Sequence, residues 1–110
     1  MSRLPLTAIP VEIAEHIQLL GGKPLNLYKA LANNPTLLKA WVDFAYQLRN
    51  GETSRSLREI MILRTAQLAN SEYELAQHLI MAQKAGVSSL QIEKLSQWQQ
   101  SQAFSTIEKA

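Results

Sequence analysis

The 110-residue chain contains no cysteine. Without a thiol, these residues cannot form a disulfide, a thiolate metal site or a cysteine nucleophile. The chain also has no apolar run approaching the roughly 20 residues that a membrane-spanning helix needs. Its first ten residues lack the long apolar segment of a signal peptide. We therefore expect a cytoplasmic protein with no membrane partner.

The chain has no cluster of basic residues. Its net charge is +2, and the lysines and arginines are spread along its length. Nucleic-acid binding requires these residues to be gathered on one face, so we expect no nucleic-acid partner. A composition of 46% hydrophobic and 18% charged residues is typical of a globular chain. The length predicts a single domain over residues 1–110, near the size at which oligomerisation aids stability.

No alternating strand pattern longer than a few residues is present, and the start and stop signals are those of helices. The sequence therefore predicts an all-α fold, a compact helical domain built around an antiparallel helix hairpin. The first predicted helix runs from Pro10 to Gly21-Gly22, the second begins at Pro24, and the third runs from Asn34-Pro35 to Asn50-Gly51. The fourth runs from Leu57 to about Leu68 after a cap at Ser54 or Ser56, and the fifth runs from Ser71 to Lys84 before Gly86. A sixth begins at a capping box of Ser88 and Gln91.

The helix predicted from Leu57 is apolar around most of its circumference, because Ile60, Met61, Ile62 and Leu63 are consecutive. Such a helix is buried on several sides. In so short a chain, complete burial requires a neighbouring subunit, so we expect a homo-oligomer.

The last residues, 104–110, look like the start of another helix. Phe104 precedes a capping box of Ser105 and Glu108, but only two residues follow it. Because a helix of this kind normally needs several more turns, we expect a truncated or naturally shortened helix here.

Four polar residues lie along the predicted hairpin with the spacing Glu-x11-Ser-x2-Glu-x3-His. At 1.5 Å per residue, Glu59 lies about 16 Å and His78 about 12 Å from a turn at Asn70. Their side chains can meet across helix axes about 8–10 Å apart. Glu74 is four residues before His78 on the same face, whereas Ser71 is too far from Glu59 for contact.

A histidine between two carboxylates can relay protons as a general acid or base. An arginine on the facing helix, or a backbone N–H at the start of the second helix, can hold a substrate carboxylate. A tyrosine next to the turn either lines the mouth of a pocket or packs. The candidate catalytic residues are His78, Glu59 and Glu74, and the candidate substrate-binding residues are Arg64, Ser71 and Tyr73.

The same residues also have structural interpretations. Ser71 with Glu74, and Ser56 with Glu59, both have the spacing of a capping box. Arg64 would then form a buried ion pair with one of the two candidate carboxylates. His78 alone would be an interior histidine satisfied by a hydrogen bond.

A metal site at Glu59, Glu74 and His78 is a weaker alternative, because the other histidine, His16, lies in the first helix. We predict no metal, and no feature of the sequence calls for a cofactor.

The segment LREIMILRTAQLANSEYELAQH resembles the core motif of the carboxymuconolactone decarboxylase family, to which the alkylhydroperoxidase D-like peroxidases also belong. The resemblance covers residues 34–95 and is to a cysteine-free branch. It implies an all-helical domain assembled as a trimer or hexamer, with sites near subunit contacts. Glu59 and His78 match the relay carboxylate and imidazole of the family, whereas Ser71 and Glu74 occupy the positions of its Cys-x-x-Cys pair.

Two activities are implied by the resemblance: decarboxylation of a γ-lactone acid and reduction of peroxide by the cysteine pair. A serine hydroxyl forms neither a disulfide nor a sulfenic acid, so thiol-based peroxide reduction is excluded on chemical grounds. We therefore predict a decarboxylase-type or lyase-type enzyme acting on a small organic acid or lactone. The alternatives are a non-catalytic oligomeric binding or scaffold protein with a structural Glu/His cluster, and a fragment that is stable only in an assembly.

Overall fold

The computed structural model describes residues 3–21, 23 and 25–110, and in these residues the chain is all-α, without a strand. The predicted end of the first helix at Gly22 and the predicted opening of the second at Pro24 lie outside the described residues. The chain divides into two compact units, residues 1–51 and 52–110, and each is described by itself. The single-domain assignment stays a prediction.

The first unit contains helices α1 to α3, and the second contains α4 to α7 with one turn of 3-10 helix after α6. Their bounds are α1 Val11–Gln18, α2 Asn26–Leu31, α3 Pro35–Arg49, α4 Arg55–Leu68, α5 Glu72–Lys84, α6 Ser89–Lys94, the 3-10 turn Leu95–Gln97, and α7 Thr106–Lys109. Across the described ranges, no helix is long and apolar enough to cross a bilayer.

In the first unit, α3 begins where the sequence predicts. The Asn34 side chain accepts a hydrogen bond from the Leu37 N–H at 3.1 Å, and Pro35 occupies the first helical position. The core of this unit includes Ile13 and Ile17 of α1 with Leu38 of α3. The helical spacing of the apolar residues therefore predicted which faces are buried.

In the second unit, α4 begins two residues before the predicted Leu57. The hydroxyl of Ser54, rather than that of Ser56, accepts the Leu57 N–H at 3.2 Å, which fixes Arg55 as the first helical residue. The predicted capping box at α6 is confirmed. Ser88 Oγ accepts the Gln91 N–H at 3.1 Å, and Gln91 Oε1 accepts the Ser88 N–H at 3.0 Å.

The turn between α4 and α5 is a Schellman motif. Asn70 adopts a φ of 51°, in the left-handed region that asparagine tolerates better than most residues. The Ser71 N–H donates to the Ala66 carbonyl at 2.9 Å, and the Asn70 N–H donates to the Gln67 carbonyl at 3.2 Å. These bonds end α4 and turn the chain directly into α5, which packs against α4.

The core of the second unit lies between α4, α5 and the segments that follow them. Its buried members are Ile60, Leu63, Ala82, Val87, Leu95 and Phe104. Within one chain α4 is not buried all round, since Met61 is 52% exposed and Leu68 is 68% exposed.

The capping box predicted near the end of the chain is confirmed. The Ser105 N–H donates to Glu108 Oε2 at 2.8 Å, and the Glu108 N–H donates to Ser105 Oγ at 3.3 Å. Glu108 Oε1 also accepts from the Gln91 side chain at 3.2 Å, which ties α7 to the start of α6. The Ser105 N–H, followed by the Ser105 hydroxyl and Gln91, holds the pKa of the Glu108 carboxyl below its ordinary value.

Candidate functional site

The carboxylate of Glu59 and the imidazole of His78 meet between α4 and α5. Glu59 Oε2 lies 2.7 Å from His78 Nδ1, so the predicted contact is confirmed. Glu59 is 5% exposed, and in the described part of the chain it is the one buried residue that is polar or charged. It shares a face of α4 with Leu63, and His78 shares a face of α5 with Ala82, so helical periodicity turns both polar side chains toward the core.

The contact defines which ring nitrogen is free to react. A carboxylate only accepts hydrogen bonds, so Nδ1 of His78 carries the hydrogen that points at Glu59. In the neutral ring, Nε2 then carries the lone pair. That nitrogen lies 3.4 Å from Glu74 Oε2, and the His78 side chain retains 18% exposure. Nε2 therefore faces Glu74, the half-exposed member of the cluster.

Glu74 takes part in this cluster because it is not held in a capping box. The Ser71 hydroxyl accepts the Glu74 N–H at 3.4 Å, which is half of the box. The return bond would need the Ser71 N–H, and that group already donates to the Ala66 carbonyl in the Schellman motif. The capping-box interpretation is thus right for Ser71 and wrong for the Glu74 carboxylate, which lies beside His78 instead.

The second capping-box interpretation, Ser56 with Glu59, is wrong. Because Ser54 is the N-cap, Glu59 lies in the second turn of α4, beyond the box position. Its second oxygen, Oε1, lies 3.9 Å from Nε of Arg55. Arg55 was not among the predicted site residues, although its position four residues before Glu59 is a signal that sequence alone provides.

Arg64 is not brought to the cluster. Its guanidinium donates to Gln67 Oε1 at 3.1 Å, and no carboxylate of the described residues forms an ion pair with it. Arg64 is five residues from Glu59, which places it about 140° around α4. The interpretation of Arg64 as one half of a buried ion pair is therefore wrong.

Arg64 lines an open groove of about 460 Å³ together with Gln67, Asn70, Glu72, Leu75 and Ser96. On α5, Glu72 lies about 160° around the axis from Glu74. None of Glu59, Glu74 and His78 lines the groove, although Leu75, three residues before His78, does.

The structure does not bring Ser71 or Tyr73 to the imidazole. Ser71 lies on the His78 face of α5 but two turns away, about 10 Å along the axis, and its hydroxyl caps the helix. Tyr73 is 66% exposed and lies about 140° around α5 from His78. Their substrate-binding roles stay predictions without direct contact to the reactive nitrogen.

The weaker metal alternative does not suit the geometry. Glu59 approaches Nδ1 of His78 and Glu74 approaches Nε2, so the two carboxylates lie at opposite edges of one ring and cannot share an ion bound to it. Residues 3–21, 23 and 25–110 hold no group of three His, Cys, Asp or Glu side chains that could bind a metal. His16 bonds through Nδ1 to the Glu12 carbonyl within α1.

The fold and the cluster define an all-helical protein whose central helix pair carries a buried carboxylate bonded to an imidazole. A family model described as the carboxymuconolactone decarboxylase family matches residues 35–110, well over half of the chain. The chain therefore belongs to the carboxymuconolactone decarboxylase family, as the resemblance predicted. Neither the comparison with curated proteins nor the comparison with solved structures gave a match.

Proposed function

We propose that this protein is an acid–base enzyme of the decarboxylase or lyase type, acting on a small organic acid or lactone. The observation that carries the proposal is the 2.7 Å bond between Glu59 and His78 Nδ1, with Nε2 facing the half-exposed Glu74. Family membership supports the reaction class. The absence of cysteine from these 110 residues restricts the chemistry to groups other than thiols.

In this proposal, Nε2 of His78 takes a proton from the substrate and returns one to the product. Glu59 is a positioning residue: it holds the ring in the tautomer with the hydrogen on Nδ1 and stabilises the imidazolium that forms. Glu74, which is half exposed and lies 3.4 Å from Nε2, exchanges the proton held on Nε2 with solvent before a proton is returned to the product.

The test is turnover of a panel of small lactones and organic acids, followed as carbon dioxide release and as deuterium incorporation from heavy water. We expect His78→Ala to lower turnover of the accepted compound by about 10²- to 10⁴-fold. His16→Ala is the matched control, because it removes the other histidine, which lies in α1, and it should retain wild-type turnover. Full turnover by His78→Ala would contradict the proposal.

A scaffold role is the second candidate, and the burial of Glu59 favours it. A 2.7 Å bond from a side chain with 7% exposure holds α4 to α5 whether or not chemistry follows. In that case His78→Ala lowers the melting temperature, and no acid or lactone of the panel raises the wild-type value. Ligand-induced stabilisation of the wild type that is lost in His78→Ala would count against this candidate.

We further propose a cytoplasmic homotrimer or homohexamer. Its support is a pair of exposed apolar stripes in the second unit. Met61 and Leu68 are seven residues apart on α4, and Tyr73 and Ile80 are seven apart on α5, so each pair shares a face. All four side chains are more than half exposed in the single chain.

A further inference from the structure

We propose that Arg55 is the anchor for the carboxylate of the substrate at the His78 site. The inference rests on the proposed function, because it supplies the binding residue that the site needs. It also replaces the role expected for Arg64, whose guanidinium donates to Gln67 and pairs with no carboxylate of the cluster. The candidate ligand is a small acid that presents one carboxylate to Arg55 and an uncharged reacting end to His78.

The first support is the state of the guanidinium group. Of the three arginines in α4, Arg58 donates to the Thr53 carbonyl at 2.7 Å and Arg64 donates to Gln67 at 3.1 Å. The Arg55 guanidinium makes no hydrogen bond within the described residues, and its contact to Glu59 is a 3.9 Å ion pair. Its side chain is 60% exposed. The fork of N–H donors that matches a carboxylate is therefore available to a ligand.

The second support is the position of that group relative to the reactive ring. Arg55 and His78 approach the two oxygens of the same Glu59 carboxylate, Oε1 and Oε2. The guanidinium thus lies on the Nδ1 side of the ring, and a small organic acid held by Arg55 must span the Glu59 carboxylate, its two contacts and the width of the ring to reach Nε2.

The third support is energetic. Arg55 is 60% exposed and its contact to Glu59 is 3.9 Å long, so solvent screens the ion pair and Arg55 loses little when it turns from Glu59 to a ligand. Glu74 lies 3.4 Å from Nε2 and is 48% exposed, so it repels a second anionic group at the reacting end. Glu59 places a negative charge beside Arg55 as well, so the site offers one available guanidinium and two carboxylates, which favours a monocarboxylate over a dicarboxylate.

The test is an NMR titration that follows the imidazole signals of His78, with His16 as the internal reference. The probes are 5-oxotetrahydrofuran-2-carboxylate, a lactone acid, and γ-butyrolactone, the same ring without the carboxylate. We expect the lactone acid to shift the His78 signals, with a Kd that rises about tenfold or more in Arg55→Ala and less in Arg55→Lys. Binding of γ-butyrolactone should not depend on Arg55.

Arg58→Ala is the matched control, because it removes the same charge from the same helix but not from the Glu59 carboxylate. It should bind the lactone acid as the wild type does. Three outcomes would overturn the inference: no shift of His78 in the wild type, equal affinity in Arg55→Ala, or equal weakening in Arg55→Ala and Arg58→Ala. Melting curves of each variant verify that the fold is kept.

Turnover distinguishes this inference from the proposed function. If Arg55→Ala binds normally while His78→Ala abolishes turnover, the proposed function stands and the anchor is wrong. If the acid binds through Arg55 but no compound is turned over, the anchor stands and the enzyme proposal is wrong.

Discussion

At the scale of single residues, Glu59 determines what His78 can do. A buried carboxylate is stable only when it is paired and hydrogen-bonded, and the His78 Nδ1–H supplies the bond at 2.7 Å. The same bond orients the ring and leaves Nε2 facing the half-exposed Glu74. One contact therefore serves both the stability of the α4–α5 pair and the proposed chemistry.

Replacing Glu59 by alanine should lower the free energy of unfolding by about 2–4 kcal/mol, because it leaves the His78 Nδ1–H without its partner and opens a cavity. Glu59→Gln keeps an acceptor oxygen and should lose less, about 1 kcal/mol. Urea unfolding measures both. Glu93→Ala is the control, since that side chain is 66% exposed, and a loss no larger for Glu59→Ala than for this control would contradict the account.

The residues of the cluster could be predicted in part from the sequence. Glu59 and His78 were predicted to meet because the rise per residue places them at similar heights on two consecutive helices. Arg64 was assigned to the same site by height alone. The rotation of 100° per residue places the Arg64 side chain about 140° around α4 from Glu59, where it lines the open groove instead.

At the scale of elements, the helix ends decide which polar groups are free. The Schellman turn uses the Ser71 N–H, and this releases the Glu74 carboxylate from the cap. At α7 the N–H of the N-cap residue Ser105 is not used by a preceding helix. It donates to the Glu108 carboxylate, which completes the capping box, and that carboxylate also accepts from Gln91. The sequence showed four capping-box spacings, Ser56–Glu59, Ser71–Glu74, Ser88–Gln91 and Ser105–Glu108, and both bonds of the box form only at the last two. The competition for one N–H could not be read from the sequence, because it depends on how the preceding helix ends.

The Glu108 contacts predict a loss of stability in acid. Since the folded-state pKa of this carboxyl lies below its ordinary value of 4.5, the ionised form stabilises the folded chain above that pH, and the contribution is lost as the pH falls through the folded-state pKa. The stability difference between wild type and Glu108→Gln should therefore be full near neutral pH and shrink below about pH 4.5. Urea unfolding across this range measures it, with Glu52→Gln as an exposed control. A difference that does not change with pH would contradict the assignment.

At the scale of the whole molecule, the exposed apolar stripes on α4 and α5 are the feature that one chain leaves unexplained. The sequence predicted that α4 would need a neighbour for full burial, and Met61 and Leu68 are indeed exposed in the single chain. What covers them could not be predicted from periodicity, because a helix pattern shows that a face is apolar but not which surface packs on it.

Sedimentation equilibrium should give three or six times the 12.3 kDa chain mass. Ile80→Glu should lower that mass by placing a charge on the α5 stripe, whereas Leu90→Glu, at an exposed leucine of α6, should not. A wild-type mass equal to that of one chain would contradict the oligomer proposal. An unchanged mass in Ile80→Glu would contradict the assignment of the α5 stripe to the interface between subunits.

The most direct test of the central claim is the position of the proton on the neutral His78 ring. Long-range ¹H–¹⁵N spectra distinguish the two tautomers, and a His16→Gln variant assigns the two histidines. We predict that neutral His78 carries its hydrogen on Nδ1, bonded to Glu59, and that this preference weakens in Glu59→Ala. A hydrogen on Nε2 of the neutral ring would contradict the claim, since no lone pair would then face the substrate.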